Sequence, residues 1–269
     1  MKIEPFSLAQ KKIILIGGLG ILGTVFARYL LEAGAELVIG DKDEEAVASR
    51  ADELSETYPG QVRGYGINLA DEGSVSAFAQ HLAADGFVPN VLINNAGCKS
   101  PNFFAPLGDF PLDDWNEVMS VNVTGVFLVL RALLPKMIEN GGGTVISTGS
   151  LYGIRGPDKR IYEGSFYAEM GGTINTPLVY AASKGAVSMI TKYLAATFGD
   201  QGIRANTLIP GGVFSGQNET FVEKFSNRTP MGRMAEKDEI ATALVFLASD
   251  ASSYMTGQDL VIDGGVSSW

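Results

Sequence analysis

Residues 12–33 read KIILIGGLGILGTVFARYLLEA, and this stretch decides the fold. Lys12 to Ile16 is a short apolar run, the pattern of a strand buried on both faces of a sheet. Gly17, Gly18, Gly20 and Gly23 follow it, and from Ile21 to Ala33 the apolar residues fall at helical spacing. A glycine-rich turn between a buried strand and a helix suits the phosphates of a dinucleotide. Gly17 permits the tight turn. Gly20 and Gly23 let the backbone approach a pyrophosphate at the helix N-terminus and let the helix pack on the strand. Ile21 and Leu22 lie on the same approach. The next strand, Glu36 to Ile39, runs out in Asp41, 18 residues beyond Gly23. A carboxylate there can accept hydrogen bonds from the adenosine ribose and repels a 2′-phosphate, which favours NAD over NADP. Lys42 beside it could pair with that phosphate, so NADP stays open as the less favoured cofactor.

Outward from this unit the same alternation continues. Strands are expected at Val62 to Ile67, Val91 to Ile93, Thr144 to Ser147, Arg204 to Ile209 and Leu260 to Ile262. Helices are expected at Glu44 to Tyr58, Ser74 to Ala84, Leu112 to Ile138 (broken near Asn122), Tyr180 to Phe198 and Lys237 to Leu247. Strands alternating with helices imply right-handed crossovers and a doubly wound parallel sheet with helices on both faces. No linker or repeat divides the chain, so residues 1–269 are expected to form one α/β domain. Leu151 to Val179 breaks the rhythm: it holds five Gly and two Pro and lacks periodicity. Long irregular stretches in compact domains are often functional.

Composition narrows the chemistry. With 46% hydrophobic residues in 269, there is ample material for a core. Twenty basic residues against 30 acidic ones give a net charge of −10, without a basic run, so no nucleic-acid partner is expected. The single Cys98 and single His81 exclude an internal disulfide and a Cys/His metal site, and His81 falls in a surface-helix pattern. No metal is expected. Lys11-Lys12 before Ile13 to Ala27 has the outline of a leader peptide, but Glu4 lies upstream, glycines interrupt the run, and Arg28 follows without a small-residue cleavage site. No uninterrupted run reaches the ~18 apolar residues of a spanning helix. The expectation is a cytoplasmic protein without a membrane partner.

Tyr180 and Lys184 stand at i and i+4 in a helical pattern and therefore share one face. An ammonium beside a phenol lowers the phenol's pKa, so the pair could exchange a proton with an alcohol or carbonyl oxygen near neutral pH.

These motifs stand in a telling order: the glycine-rich turn, Asn94-Asn95-Ala96-Gly97 after the fourth strand, Asn122 in the long helix, Ser150 after the fifth strand, Tyr180 with Lys184, Pro210-Gly211 after the sixth strand, and Asp263-Gly264-Gly265 near the end. From about Lys11 to the C-terminus the chain resembles the short-chain dehydrogenase/reductase family in its compact, single-domain branch, with a Rossmann-type sheet. The resemblance implies an oxidoreductase that interconverts a secondary alcohol and a ketone with a nicotinamide cofactor. Tyr180 would be the acid/base. Lys184 would hold the nicotinamide ribose and tune Tyr180, Ser150 would orient the substrate oxygen, and Asn122 would hold a water in the proton relay. Asn94, Ala96 and Gly97 would line the adenosine side and steady the sheet. Asn68 would meet the adenine amino group, with Leu69 next to it. Pro210, Gly211 and Val213 would contact the nicotinamide.

The chain departs from the family pattern in two places. Ile16 and Ile21 replace a usual Thr and Gly, so the spacing Gly17-x-x-Gly20-x-x-Gly23 looks more like the extended branch, whose additional C-terminal region is missing here. The interval from Ser150 to Tyr180 is longer than in most relatives, and Tyr152, Tyr162 and Tyr167 within it lack a Lys four residues on. Arg155, Lys159, Arg160, Tyr162 and Glu163 of this insert, about 151–179, would emerge beside the catalytic pocket. With Arg228 and Arg233 of the 210–234 lid they would suit a polar, anionic small-molecule substrate. The insert, Pro210 to Phe214 and the ending Ser253 to Trp269 look most like oxidoreductases of bacterial surface-sugar pathways (nonulosonic acid, flagellin modification), which implies a sugar or sugar phosphate. Relatives form dimers or tetramers through the Asn122 and Tyr180 helices, and Ala181, Gly185 and Ser188 would permit close helix approach. Two other readings stay open: an epimerase or dehydratase that retains its NAD, and a catalytically silent dinucleotide sensor.

Overall fold

Strand β1 (Lys12–Ile16) sends its side chains alternately into two cores. Ile13 and Leu15 pack into one, Ile14 and Ile16 into the other, all of them buried. This two-sided burial is what a continuous apolar run encodes in a parallel sheet. The computed structural model describes residues 5–167 and 172–269, so residues 168–171 of the expected insert lie outside the described residues.

Around β1 the chain lays down α1 (Gly23–Glu32), β2 (Glu36–Asp41), α2 (Glu44–Thr57), β3 (Val62–Gly66), α3 (Glu72–Ala84) and β4 (Val91–Asn94). Then come α4 (Leu112–Met119), a π-helical segment Ser120–Thr124, α5 (Gly125–Glu139) and β5 (Gly143–Thr148). The insert contributes α6 (Leu151–Ile154) and two-residue strands β6 (Phe166–Tyr167) and β7 (Gly172–Thr173). The chain ends with α7 (Leu178–Phe198), β8 (Ile203–Pro210), α8 (Glu219–Ser226), α9 (Lys237–Ala248) and β9 (Asp259–Ile262). Among the described residues the main sheet has seven strands in the order β3-β2-β1-β4-β5-β8-β9, every neighbouring pair parallel. Helices α1, α2 and α9 cover one face, through Phe26, Leu30, Val47 and Leu244. Helices α3, α5 and α7 cover the other, through Phe78, Val129, Leu133 and Leu194. This is the expected Rossmann-type single domain.

The differences from the expected elements have local causes. Helix α1 begins at Gly23 rather than Ile21, because Gly17 (φ +83°) and the turn after it keep a non-helical path. Helix α3 starts at Glu72, where the Asp71 carboxylate accepts the Gly73 N–H at 2.8 Å. Such a cap moves a start upstream of the apolar pattern. The break near Asn122 is a π-helical segment between α4 and α5 rather than an interruption. Helix α8, inside the expected lid, is capped by Asn218 and shows only two buried anchors, Phe221 and Phe225, too few for the pattern to declare it. The stretch Leu112–Glu139 is long and apolar enough to cross a membrane by length and composition, but half of its apolar window is buried, the mark of a core helix.

Candidate active site

The strand order reverses at β1, with β2 on one side and β4 on the other. In open α/β sheets ligands bind outside the carboxyl ends of the strands at this switch point. A cleft of about 720 Å³ opens there, lined by Gly17, Gly20, Ile21, Leu22, Asp41 and Lys42 at one end and by Ser150, Tyr152, Tyr180 and Lys184 at the other. Ala96, Gly97, Pro210, Gly211 and Val213 also line it.

The glycine-rich end is shaped by close contacts. A Cβ on Gly17 would stand 2.5 Å from the Ala96 nitrogen, and one on Gly23 would stand 2.1 Å from the Gly17 oxygen. Neither position admits a side chain, so the turn folds flat against β4 and the N-terminus of α1. Gly20 differs: its Cβ would meet only the Gly17 oxygen, at 3.6 Å. Its freedom is therefore available for a ligand rather than consumed by packing. Ile21 stands half-exposed at the rim of the cleft. The Asp41 carboxylate accepts the Leu19 N–H at 3.0 Å and the Lys42 N–H at 2.8 Å. Each carboxylate oxygen keeps a further lone pair, so holding the turn does not prevent it from accepting a ribose hydroxyl. A flat glycine cradle, a helix N-terminus and an anionic acceptor at the second strand's end together fit a dinucleotide.

Four expected cofactor residues stand outside the cleft lining, Gly23 among them because it packs against the Gly17 oxygen. The other three are Asn68, Leu69 and Asn94. The Asn68 side-chain oxygen accepts the Ala70 N–H at 3.1 Å in a local turn and keeps a second lone pair. Leu69 is buried under α5, where a Cβ on Gly125 would come within 2.6 Å of it. Asn94 is buried in the sheet. The next residue takes the larger share of the work: Asn95 donates to the Gly17 carbonyl at 2.8 Å and accepts from Thr148 Oγ1 at 3.0 Å. It ties the cofactor turn to β5. The double Asn after a buried strand was the available signal, but which of the two faces the turn depends on the strand's register.

At the other end, Ser150 caps α6 by accepting the Tyr152 N–H at 3.2 Å. Its hydroxyl stands close enough to Tyr180 to pull the phenol's pKa down. Tyr180 is half-buried beside Phe103, their rings edge to face at 6.1 Å. Lys184 is buried and donates to the Thr148 carbonyl at 2.8 Å. Asn122 donates to Ser183 Oγ at 3.1 Å and accepts the Cys98 N–H at 3.1 Å. It therefore joins the π-helical segment to α7 and to the loop after β4.

The titration of the pair departs from expectation. Burial pushes the Tyr180 phenol above its ordinary pKa, with only the Ser150 hydroxyl pulling it down. The same burial pushes Lys184 down to about 8. Desolvation disfavours both charged forms, and here it outweighs the pairing expected from the i, i+4 spacing. Burial likewise raises Cys98 to about 11, which leaves this cleft thiol protonated and unreactive.

The insert does not deliver its charges to the cleft. Arg155 donates to the Val266 carbonyl, Arg160 pairs with Asp158, and Arg228 also pairs with Asp158. Arg233 pairs with Glu239 at 2.7 Å. Arg155 fastens the insert to the C-terminal tail, Arg228 fastens it to the end of α8, and Arg233 ties the following segment to α9. The insert residues that line the cleft are Tyr152, Asn175, Thr176 and Pro177, all uncharged. The small-residue stripe on α7 is also used internally. Ser188 is buried, and a Cβ on Gly185 would stand 3.3 Å from the Gly153 oxygen of α6.

Comparison with known proteins places this geometry. The family model described as enoyl-(acyl carrier protein) reductase matches residues 20–267. D-threitol dehydrogenase of Mycolicibacterium smegmatis is 32% identical over 97% of this chain and 94% of its own length. A gluconate 5-dehydrogenase from Burkholderia cenocepacia, solved with NADP and tartrate, is 34% identical with a TM-score of 0.85, covering 98% of each chain. A short chain dehydrogenase from Leptospira borgpetersenii with bound NAD+ is 29% identical with a TM-score of 0.85, covering 99% of this chain and 96% of the other.

Proposed function

The chain belongs to the short-chain dehydrogenase/reductase family of oxidoreductases acting on CH–OH groups, and on that premise we propose that it oxidises a secondary alcohol of a sugar or polyol with NAD, or reduces the matching ketone. One observation carries the reading: Ser150, Tyr180 and Lys184 line one end of the same cleft whose other end is the glycine turn and Asp41. The Asp41 carboxylate argues for NAD, because its charge faces the position of a 2′-phosphate. The insert lines the cleft with the uncharged Tyr152, Asn175 and Thr176, which argues for a polyhydroxylated substrate.

The nicotinamide, when bound, accepts or supplies the hydride. Gly17, Gly20, Ile21 and Leu22 would hold the dinucleotide phosphates, with Gly23 letting α1 pack on the turn, Asp41 would hold the adenosine ribose, and Lys184 the second ribose. Pro210, Gly211 and Val213 would face the ring. Tyr180 Oη moves the proton: in reduction it gives its proton to the carbonyl oxygen, in oxidation the phenolate takes the hydroxyl proton. Ser150 orients that oxygen by hydrogen bonding. Asn122 keeps the loop at Cys98 fixed against α7 and so holds the floor beside Lys184. The buried Phe103 keeps water from the face of Tyr180.

The assembly belongs to the same reading. Exposed Phe127 on α5 and exposed Met189 and Tyr193 on α7 offer an apolar face for a second copy, in a dimer or tetramer. A spectrophotometric screen of polyols and sugars with NAD+ tests the reaction. We expect net NADH formation with at least one polyol. Tyr180→Phe is expected to lower turnover about 10²–10⁴-fold, the range of a lost acid/base group, while NAD+ still binds. A variant that retains full turnover overturns the assignment.

A further inference from the structure

Three hydroxyls of the insert meet at the substrate end of the cleft, and the proton route uses none of them. Tyr162 is buried, and its ring stacks on Phe221 of α8 with centroids 5.9 Å apart. Its hydroxyl donates to Tyr152 Oη at 2.9 Å and lies 2.5 Å from Thr176 Oγ1. A phenol carries one proton. Because the Tyr162 proton goes to Tyr152, Thr176 is the donor in the second contact, and the chain runs from Thr176 to Tyr162 to Tyr152. Tyr152 then keeps its own proton for a partner outside the chain. Its side chain lines the cleft together with Ser150 and Tyr180. Burial and the neighbouring phenol push Tyr152 well above the ordinary pKa of a phenol, so it is a permanent donor.

The placement of this donor is informative. Ser150 and Tyr180 serve the reacting oxygen. Tyr152 sits two residues after Ser150, in the short helix that Ser150 caps, so its hydroxyl addresses the adjoining part of a bound molecule. Arg155 and Arg160 are paired away from this wall, and Lys159 lines the adjoining cavity beside Tyr162 and Thr176. A fixed donor in a partly desolvated wall selects a ligand that places an oxygen against it and discriminates against one that lacks that oxygen. Building on the polyol reading above, we propose that Tyr152 reads the substrate hydroxyl on the carbon next to the reacting one, and that Tyr162 and Thr176 are positioning residues that aim it. The insert would thus select vicinal diols over simple secondary alcohols.

The test uses the full chain with NAD+ and two probes. One is D-threitol or the best polyol of the screen. The other is its analogue without a hydroxyl on either carbon next to the reacting one, which for threitol reacting at C2 is butane-1,3-diol. Wild-type protein should prefer the polyol. Tyr152→Phe should lower the polyol-to-deoxy ratio of kcat/KM about tenfold, the worth of one hydrogen bond, mainly through KM. Tyr162→Phe keeps the ring on Phe221 and should lower the ratio in the same direction by less. A purely structural role would lower both probes equally. NAD+ affinity, read in parallel by fluorescence, identifies a misfolded variant, and Thr176→Val then supplies a second arm with the same expected fall. An unchanged ratio in Tyr152→Phe overturns the proposal while leaving the polyol reading intact. Wild-type protein that turns over no polyol at all overturns that reading, and this proposal with it.

Discussion

Burial raises the Tyr180 phenol above its ordinary pKa, so in the proposed reaction the resting side chain serves as an acid and must lose its proton to serve as a base. The direction of the shift fixes the sign of the pH dependence. Ketone reduction uses the protonated phenol and needs no ionisation. Alcohol oxidation needs the phenolate, whose fraction grows as pH rises toward the elevated pKa. The kcat/KM for oxidation should therefore climb through pH 7 to 9, while that for reduction holds or declines. Profiles in both directions check this, and an oxidation rate that falls across this window contradicts it. Asp41 supports a second expectation at the same scale. Asp41→Asn removes the charge and keeps one of the two acceptors, since Leu19 and Lys42 bond different carboxylate oxygens. Its NAD-to-NADP preference should fall by about tenfold, in keeping with a charge–charge effect at partial exposure. Thermal shifts with each dinucleotide read the same change, since a ligand that binds the folded state raises its stability. Both residues are named directly by their motifs. Their protonation and partners are not, because desolvation depends on what the fold packs over them.

At the scale of elements, the β1–α1 turn separates packing from binding. At Gly23 an added Cβ would collide with the Gly17 oxygen, so Gly23→Ala should push α1 off the turn. The cost should be about 1–3 kcal/mol, as for other overpacked sites, and dinucleotide binding should weaken with it. At Gly20 the same methyl meets only an ordinary contact, so Gly20→Ala should keep the melting temperature while weakening the dinucleotide. Denaturation and binding titrations on the two variants show whether the roles divide in this way. The strand-to-helix pattern was readable in the residues because apolar runs and glycine turns are local signals. The π-helical segment at Asn122, the cap at Asp71 and helix α8 were less so. Each depends on a hydrogen bond or on one or two anchors rather than on a repeat.

For the whole molecule, the apolar face of Phe127, Met189 and Tyr193 sets the expectation of assembly. Light scattering should give a dimer or tetramer at micromolar concentration, and Met189→Glu should shift it to smaller species by placing a charge in a desolvated contact. The stripe Ala181, Gly185, Ser188 looked suited to this on helical spacing, but in three dimensions α6 and the sheet occupy part of it. The insert shows the same division. Its residues announced an irregular, charged segment beside the pocket, and the fold turned the charges on one another, on α8 and on the C-terminal tail, leaving hydroxyls to face the cleft. The sequence by itself determined the alternation of strands and helices and with it the parallel sheet, because periodicity and spacing act over a few residues. Only the tertiary structure decided which of two adjacent asparagines clamps the turn, how burial sets the Tyr180 and Lys184 protons, and what the insert presents. These are matters of burial and contact between residues far apart in the chain, where low dielectric and close packing outweigh local preference.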